Sequence, residues 1–248
     1  MSDASPAGTP DLHADVLERL GTDLVAGRLA DVSDLRLELV EERYGISRTA
    51  AREVVRVLEA MSVLSSRRRV GITIRPRSEW NALDPRLIRW RLAGAERADQ
   101  LRALSELRTA VEPVAAALAA RHATPEQCGE LTAAVIGMSV TGQAGDLEAY
   151  LAHDVRFHAV LLQASGNELF ASLTDVVAEV LAGRTHHDLM PARPEPAAIR
   201  LHGDVAEAVA TGDAARADAA MRAILAEALT AMQRAFPAPV PADAAVQR

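Results

Sequence analysis

Asp154 and His158 stand four residues apart in a stretch, 146–165, whose apolar residues recur at helical spacing. At that spacing both side chains leave one face of a helix. His202 falls on a second helical stretch, 196–211, which an antiparallel bundle can bring alongside. Two imidazoles and a carboxylate converging between helices are a competent seat for Zn²⁺, Ni²⁺ or Mn²⁺. With only three protein ligands, such an ion would keep positions open for water or a small molecule. The alternative is that His158 and His202 are ordinary polar core residues. His153 is adjacent to Asp154 and points elsewhere, while His186 and His187, near a helix end, are expected at the surface.

Arg108 lies on a stretch, 97–122, with an apolar stripe of Leu104, Leu107, Val111, Val114 and Leu118. An arginine beside a core stripe needs an anionic partner. A salt bridge to Glu112 or to another helix is one way to supply it. Asn167 stands at a helix start, where capping is its expected local role.

A second chemistry sits near the N-terminus. Ser47 can cap a helix whose first turn and a half presents Arg48, Thr49 and Arg52, with Val54, Val55 and Leu58 facing the other way. Side chains at the start of a recognition helix reach base edges in the major groove, and arginine suits a guanine edge through paired hydrogen bonds. Arg67, Arg68 and Arg69, followed by Gly71, form the tip of a hairpin that could lie on phosphates or in the minor groove. Charge supports this. Residues 1–42 carry 3 Arg against 10 acids, residues 43–77 carry 9 Arg against 2, and the remainder carries 15 against 22. A basic island between acidic flanks is an electrostatic footprint for a polyanion, although the net charge of the chain is −7.

The run Ser47-Arg48-Thr49, then Arg52-Glu53-Val54, Leu58-Glu59 and a basic hairpin resembles the winged helix of the GntR family of bacterial regulators. The resemblance implies that Ser47, Arg48, Thr49, Arg52, Arg68, Arg69 and Gly71 form the surface for double-stranded operator DNA. The sequence departs from the family at Glu38, where an arginine is usual, so no phosphate contact is carried over to it. Residues 80–235 resemble the FCD ligand-binding domain of the FadR-like branch. That likeness rests on Leu104 through Arg108, Glu112-Pro113, Asp154 through His158, Ser165-Gly166-Asn167, and His202 leading into Ala208 through Asp213. It implies a metal site of one Asp and three His, whose fourth ligand would fall at Ile224, a residue that cannot coordinate. It also implies that Arg108 grips an effector carboxylate, with Asn167 available to an effector hydroxyl. The segment Arg77 through Asp84, ending in Trp90, is similar to the corresponding segment of galactonate-responsive members, which points to a sugar acid.

The elements that must position these residues are helical almost throughout. The 248 residues are 49% hydrophobic and 3% aromatic, rich in Ala and Leu and poor in β-branched runs. Helices are expected over 12–27, from an Asp34 cap to Arg43, and from Ser47 to Met61. Two short strands follow, at 63–66 and 71–74, then a hinge at 76–79. Further helices are expected at 84–93, 97–122, 125–141, 146–165, 168–187, 196–211 and 213–235, with frayed tails at 1–9 and 237–248. The expected fold is mainly α: a winged helix-turn-helix over 10–76, a linker with a short helix over 77–96, and an all-α antiparallel bundle of FCD type over 97–236.

One cysteine, Cys128, excludes an intrachain disulfide framework. No apolar run approaches the ~20 residues that span a bilayer, and the N-terminus has no basic segment before an apolar core. A cytoplasmic protein with no membrane partner is expected. The leading reading is a homodimeric repressor whose two recognition helices meet a near-palindromic operator and whose grip is controlled by a small carboxylate. A metal-dependent hydrolase on Asp154, His158 and His202 is the alternative, but no nucleophile motif accompanies them. An acyl-CoA sensor would need a long apolar tunnel, which a polar site opposes.

Overall fold

The computed structural model describes residues 12–29, 35–67, 71–187 and 189–236. The expected tails, the Asp34 cap and the wing-tip residues Arg68 and Arg69 lie outside the described residues. The chain divides into two compact units, residues 1–97 and 98–248.

The first unit runs α1 (Leu12–Val25), α2 (Leu37–Tyr44), α3 (Arg48–Ala60), β1 (Leu64–Arg67), β2 (Gly71–Ile74) and α4 (Pro85–Ala93). Gly45, at φ +67, closes α2 in the left-handed region where glycine carries no steric penalty. Two residues later Ser47 opens α3, its hydroxyl accepting from the Ala50 amide at 3.3 Å. Ala50, Ala51, Val54, Val55 and Leu58 recur at helical spacing and are buried, which fixes the rotation of α3. Ser47, Arg48, Thr49 and Arg52 consequently stand on its exposed face. The strands pair antiparallel, Leu64 opposite Ile74 and Arg67 opposite Gly71. Leu35 adds a bridge to this hairpin, accepting from the Ile72 amide at 3.0 Å. Gly71 has φ +93, a conformation the tight hairpin needs and a side chain would strain.

The segment 77–96 packs into the core of this unit. Asp84 caps α4 and Pro85 starts it. Trp80, Leu87 and Trp90 share a core with Val16, Leu20 and Leu58. The Trp90 indole N–H donates to Glu18 at 2.6 Å, and its ring lies so close to Gly21 that a β-carbon there would come within 2.4 Å.

The second unit consists of α5 (Arg97–His122), α6 (Pro125–Ala144), α7 (Leu147–Ala164), α8 (Glu168–Ala171), α9 (Thr174–His186), α10 (Pro196–Thr211) and α11 (Ala214–Ala235). Short capped turns set antiparallel neighbours. Thr124 and Gln127 form a reciprocal capping box at the start of α6, and Asp146 and Asp213 cap α7 and α11. Helix α7 is buried on nearly every side, from Tyr150 and Leu151 through Phe157, Val160 and Leu162, and is the axis around which the others pack. Asp154 and His158 stand on its buried side and lie in the interior, while Glu148 and Arg156 are exposed.

One expectation fails here. The stretch 168–187 is two helices, not one. The Ser172 hydroxyl donates to the Leu169 carbonyl at 2.8 Å and that of Thr174 to Ala171 at 2.7 Å. Such back-bonding offers the backbone an alternative to the helical ladder at this break, although Thr109 and Thr141 make it within unbroken helices. Among the described residues no helix is long and apolar enough to cross a membrane. The architecture is a winged helix-turn-helix and an all-α bundle.

Candidate functional site

On the exposed face of α3, Arg48 reaches back to α2 and pairs with Glu38 at 2.7 Å and Glu41 at 3.7 Å. Both Arg48 and Glu38 are more than half exposed, so the pair is readily exchanged for another partner. Glu38, which the sequence marks as a departure, thus neutralises the first arginine of the helix. Thr49 and Arg52 are exposed beside it, and Arg56 is paired with Glu53 at 2.7 Å. The hydroxyl of Ser47 is engaged in capping.

In the helical unit, Asp154 and His158 on α7 meet His202 on α10. Asp154 Oδ1 lies 3.4 Å from His158 Nε2 and 3.3 Å from His202 Nε2, and all three side chains are buried. Tautomers follow from the flanking groups. His202 Nδ1 donates to the Ala198 carbonyl at 2.8 Å, so in the neutral ring Nε2 presents a lone pair to Asp154. The guanidinium of Arg108 stands 3.4 Å from His158 Nε2, where only an acceptor is accommodated. Asp154 Oδ1 and His202 Nε2 have no hydrogen-bond partner among the described residues. Two buried acceptors without a hydrogen between them, with His158 Nε2 beside them, suit a cation. Ligand atoms around a tetrahedral ion with ~2.1 Å bonds stand ~3.4 Å apart, which the measured separations match.

The electrostatics favour positive charge at the cluster, a proton or a metal ion alike. Burial pushes the Asp154 carboxyl up, but the two imidazoles outweigh it and hold the group well below the usual carboxylate range. For His158, burial works against the charged ring, and Glu112 and Asp154 together raise its pKa nonetheless. His158 Nδ1 lies 2.7 Å from Glu112, at an angle too oblique for a hydrogen bond.

Arg108 is where the sequence places it, on the wall of this cavity, but its fork is occupied. Nε donates to Glu112 Oε1 at 2.5 Å and Nη2 to Oε2 at 3.3 Å, both residues being buried. Glu112 is fully enclosed; burial raises its carboxyl, yet Arg108 and His158 bring it down to about 2. The internal salt bridge is thus the arrangement Arg108 adopts. Asn167 is not brought to the cavity. Its side chain accepts from the Leu169 amide at 2.9 Å and caps α8. Ile224 does line the cavity, at the position where a fourth ligand would stand.

Among the wall residues that escape the sequence reading are Tyr150, Arg184, Met190 and Glu227. Burial and the neighbouring Asp154 push the Tyr150 hydroxyl up, so it remains a donor. The space enclosed is about 30 Å³, the volume of an ion or one water, against ~300–1,000 Å³ for pockets that hold small molecules.

A winged helix joined to a helical unit with a buried polar cavity defines a class: DNA-binding regulators that carry a sensor domain. Residues 103–227 match the FCD domain family. The galactonate operon transcriptional repressor of Escherichia coli (strain K12) is 32% identical over 163 residues, 65% of this chain and 70% of that protein. The uncharacterized HTH-type transcriptional regulator YieP of the same organism is 26% identical over 222 residues, 88% and 94% of the two chains. Among solved structures, E. coli McbR/YncC superposes with a TM-score of 0.55 at 17% identity, covering 92% of this chain and all of that one. Lar of Listeria monocytogenes does so with a TM-score of 0.58 at 19% identity, covering 92% and 99%. The chain belongs to the GntR family of transcriptional regulators, in the FadR-like branch with an FCD domain.

Proposed function

We propose that this regulator is a homodimeric repressor that binds double-stranded operator DNA through α3 and the hairpin and releases it when a small carboxylate occupies the helical unit. In this reading residues 10–76 hold the DNA, 77–96 connect, and 97–236 bind effector. Arg48, Thr49 and Arg52 read the major groove, Ser47 and Gly71 set the backbone, and Arg68 and Arg69 reach phosphate or minor groove. The similarity to the galactonate operon repressor supports a sugar acid of the galactonate kind.

The observation that carries the effector side is the buried confrontation of Asp154 Oδ1 and His202 Nε2, neither with a hydrogen-bond partner. With His158, these residues would hold a divalent cation, zinc, nickel or manganese. When bound, that ion supplies a Lewis-acidic anchor for a carboxylate or hydroxyl oxygen. Ile224 leaves the cluster at three protein ligands, so positions remain for the effector. The chain's own residues do the rest. The Ala198 carbonyl fixes the His202 tautomer, Glu112 keeps Arg108 and His158 in place, and the Tyr150 hydroxyl offers a donor.

A cavity of about 30 Å³ does not admit a six-carbon acid without opening. An effector that binds only the opened bundle favours that state by its full binding energy, which is what control of DNA affinity requires. The test is fluorescence anisotropy on promoter DNA from upstream of its own gene. Saturable, salt-sensitive binding that D-galactonate reverses is expected. Specific binding indifferent to D-galactonate, D-gluconate and lactate would retain the operator and remove the acid. Binding with no preference over random DNA would remove the repressor.

A further inference from the structure

Arg184 is a cation that forms no ion pair with a described residue. It stands three and four residues beyond the buried Leu181 and Val180, so the stripe that seats α9 also carries Arg184 into the cavity wall. There Nη2 donates to the Met190 thioether at 3.3 Å, a weak acceptor for a guanidinium. Among the described residues no carboxylate lies within ion-pair distance of it. Asp154 and Glu227 line the same cavity without pairing to it. Surrounding protein and the positive Arg108 lower its pKa, and the more distant charges of Asp154 and Glu227 offset them only in part. Arg108, by contrast, is closed by the bidentate Glu112. Arg184 is only partly buried, and a guanidinium held on a cavity wall with no ion pair keeps its fork open to an incoming anion.

We infer that Arg184 is the anchor for the effector's carboxylate, and that the effector is a monoanionic hydroxy acid lying between Arg184 and the Asp154, His158 and His202 cluster. This rests on the effector reading above. A charge count supports it. With a divalent ion bound, Arg108, Arg184 and the ion bring four positive charges against three negative ones on Glu112, Asp154 and Glu227. One positive charge is left over, which a monocarboxylate neutralises. A neutral sugar leaves it uncompensated, and a dicarboxylate overshoots. The thioether of Met190, in the connection from α9 to α10, is the placeholder: it occupies the guanidinium until the carboxylate replaces it and moves the connection outward.

The test is titration calorimetry of the full-length, Zn²⁺-loaded protein with D-galactonate, D-gluconate and lactate, and with the neutral galactono-1,4-lactone. Wild type is compared with Arg184→Met, Arg184→Lys and, as a control on the exposed connection, Arg193→Met. An acid that wild type binds should bind Arg184→Met about 10- to 100-fold more weakly, the worth of a charge-assisted fork. Arg184→Lys should lose less, and Arg193→Met nothing. Without acid, Arg184→Met should melt at the same temperature as wild type or higher, because no ion pair is lost with the guanidinium. Wild-type acid affinity in Arg184→Met overturns the assignment, as does a lowered melting temperature with affinity unchanged, which marks a structural arginine. If wild type binds none of the acids, the effector reading itself falls, and the Arg184 assignment with it.

Discussion

Asp154 Oδ1 and His202 Nε2 face one another at 3.3 Å inside the helical unit, and neither has a hydrogen-bond partner among the described residues. The Nδ1–H of His202 is already given to the Ala198 carbonyl at 2.8 Å. Two buried acceptors at this distance repel unless a positive charge lies between them, and a divalent ion or a second proton on His202 would serve. Elemental analysis of protein grown in metal-replete medium separates the two. About one divalent ion per chain is expected, bound tightly enough to survive gel filtration. His202→Ala and Asp154→Asn should lose it while retaining helical content. Metal-free wild type with an unchanged melting temperature would favour the proton.

Acid should destabilise the helical unit through Glu112. Its folded pKa is about 2, below the ordinary 4.5. A depressed carboxylate contributes stability that is complete above the unfolded value and is lost as pH falls from about 4.5 to about 2. Urea midpoints should therefore drop steeply across that window in wild type. In Glu112→Gln the midpoint should already be low at neutral pH, by about 3–5 kcal/mol, because Arg108 is left buried without its counter-charge. It should then vary less with acid. Equal slopes in both proteins would place the acid sensitivity elsewhere.

The Arg48–Glu38 pair makes a prediction about DNA. Glu38→Gln frees Arg48 and removes a negative charge from the recognition surface. Affinity for any duplex should rise, and the salt dependence should steepen, since one more arginine displaces counter-ions. Arg52→Ala should instead lose ~1–3 kcal/mol of preference for operator over random DNA. A uniform loss on all sequences would make Arg52 a phosphate contact.

Gly21 is fixed by Trp90. A β-carbon at this position would fall 2.4 Å from the indole. Gly21→Ala should destabilise the first unit by about 1–3 kcal/mol, as overpacking of a close interface does, and denaturant unfolding followed by tryptophan fluorescence reads it directly. A compensating Trp90→Leu should recover part of the loss.

Much of this molecule is legible in its residues, and the exceptions have physical reasons. Ser47 announces α3 because a hydroxyl before an apolar-periodic run has few other uses. Asp154, His158 and His202 can be brought together from the sequence because i, i+4 spacing fixes two of them on one face and an antiparallel bundle can bring α10 alongside. Arg184 carries the same signal as Arg108, an arginine on an apolar stripe, yet it is missed. The reason is the break at residues 172–173, which divides the stretch into α8 and α9. A break resets the helical phase, so a stripe counted from Leu169 and Phe170 does not predict where residue 184 points. The Arg108–Glu112 pair was one of two open alternatives, and only the burial of both residues selects it. Asn167 follows its local chemistry and caps. The contact of Arg48 with Glu38 depends on how α2 and α3 pack, which spacing along the chain does not encode.

The most direct test of the whole account is operator release by acid in wild type and in Asp154→Asn, followed by fluorescence anisotropy on the same promoter duplex. Both proteins should bind the duplex with equal affinity. D-galactonate, or whichever of the tested acids calorimetry selects, should release wild type and leave Asp154→Asn bound. Release of both proteins at the same acid concentration would contradict the account by placing the effector away from the Asp154, His158 and His202 cavity.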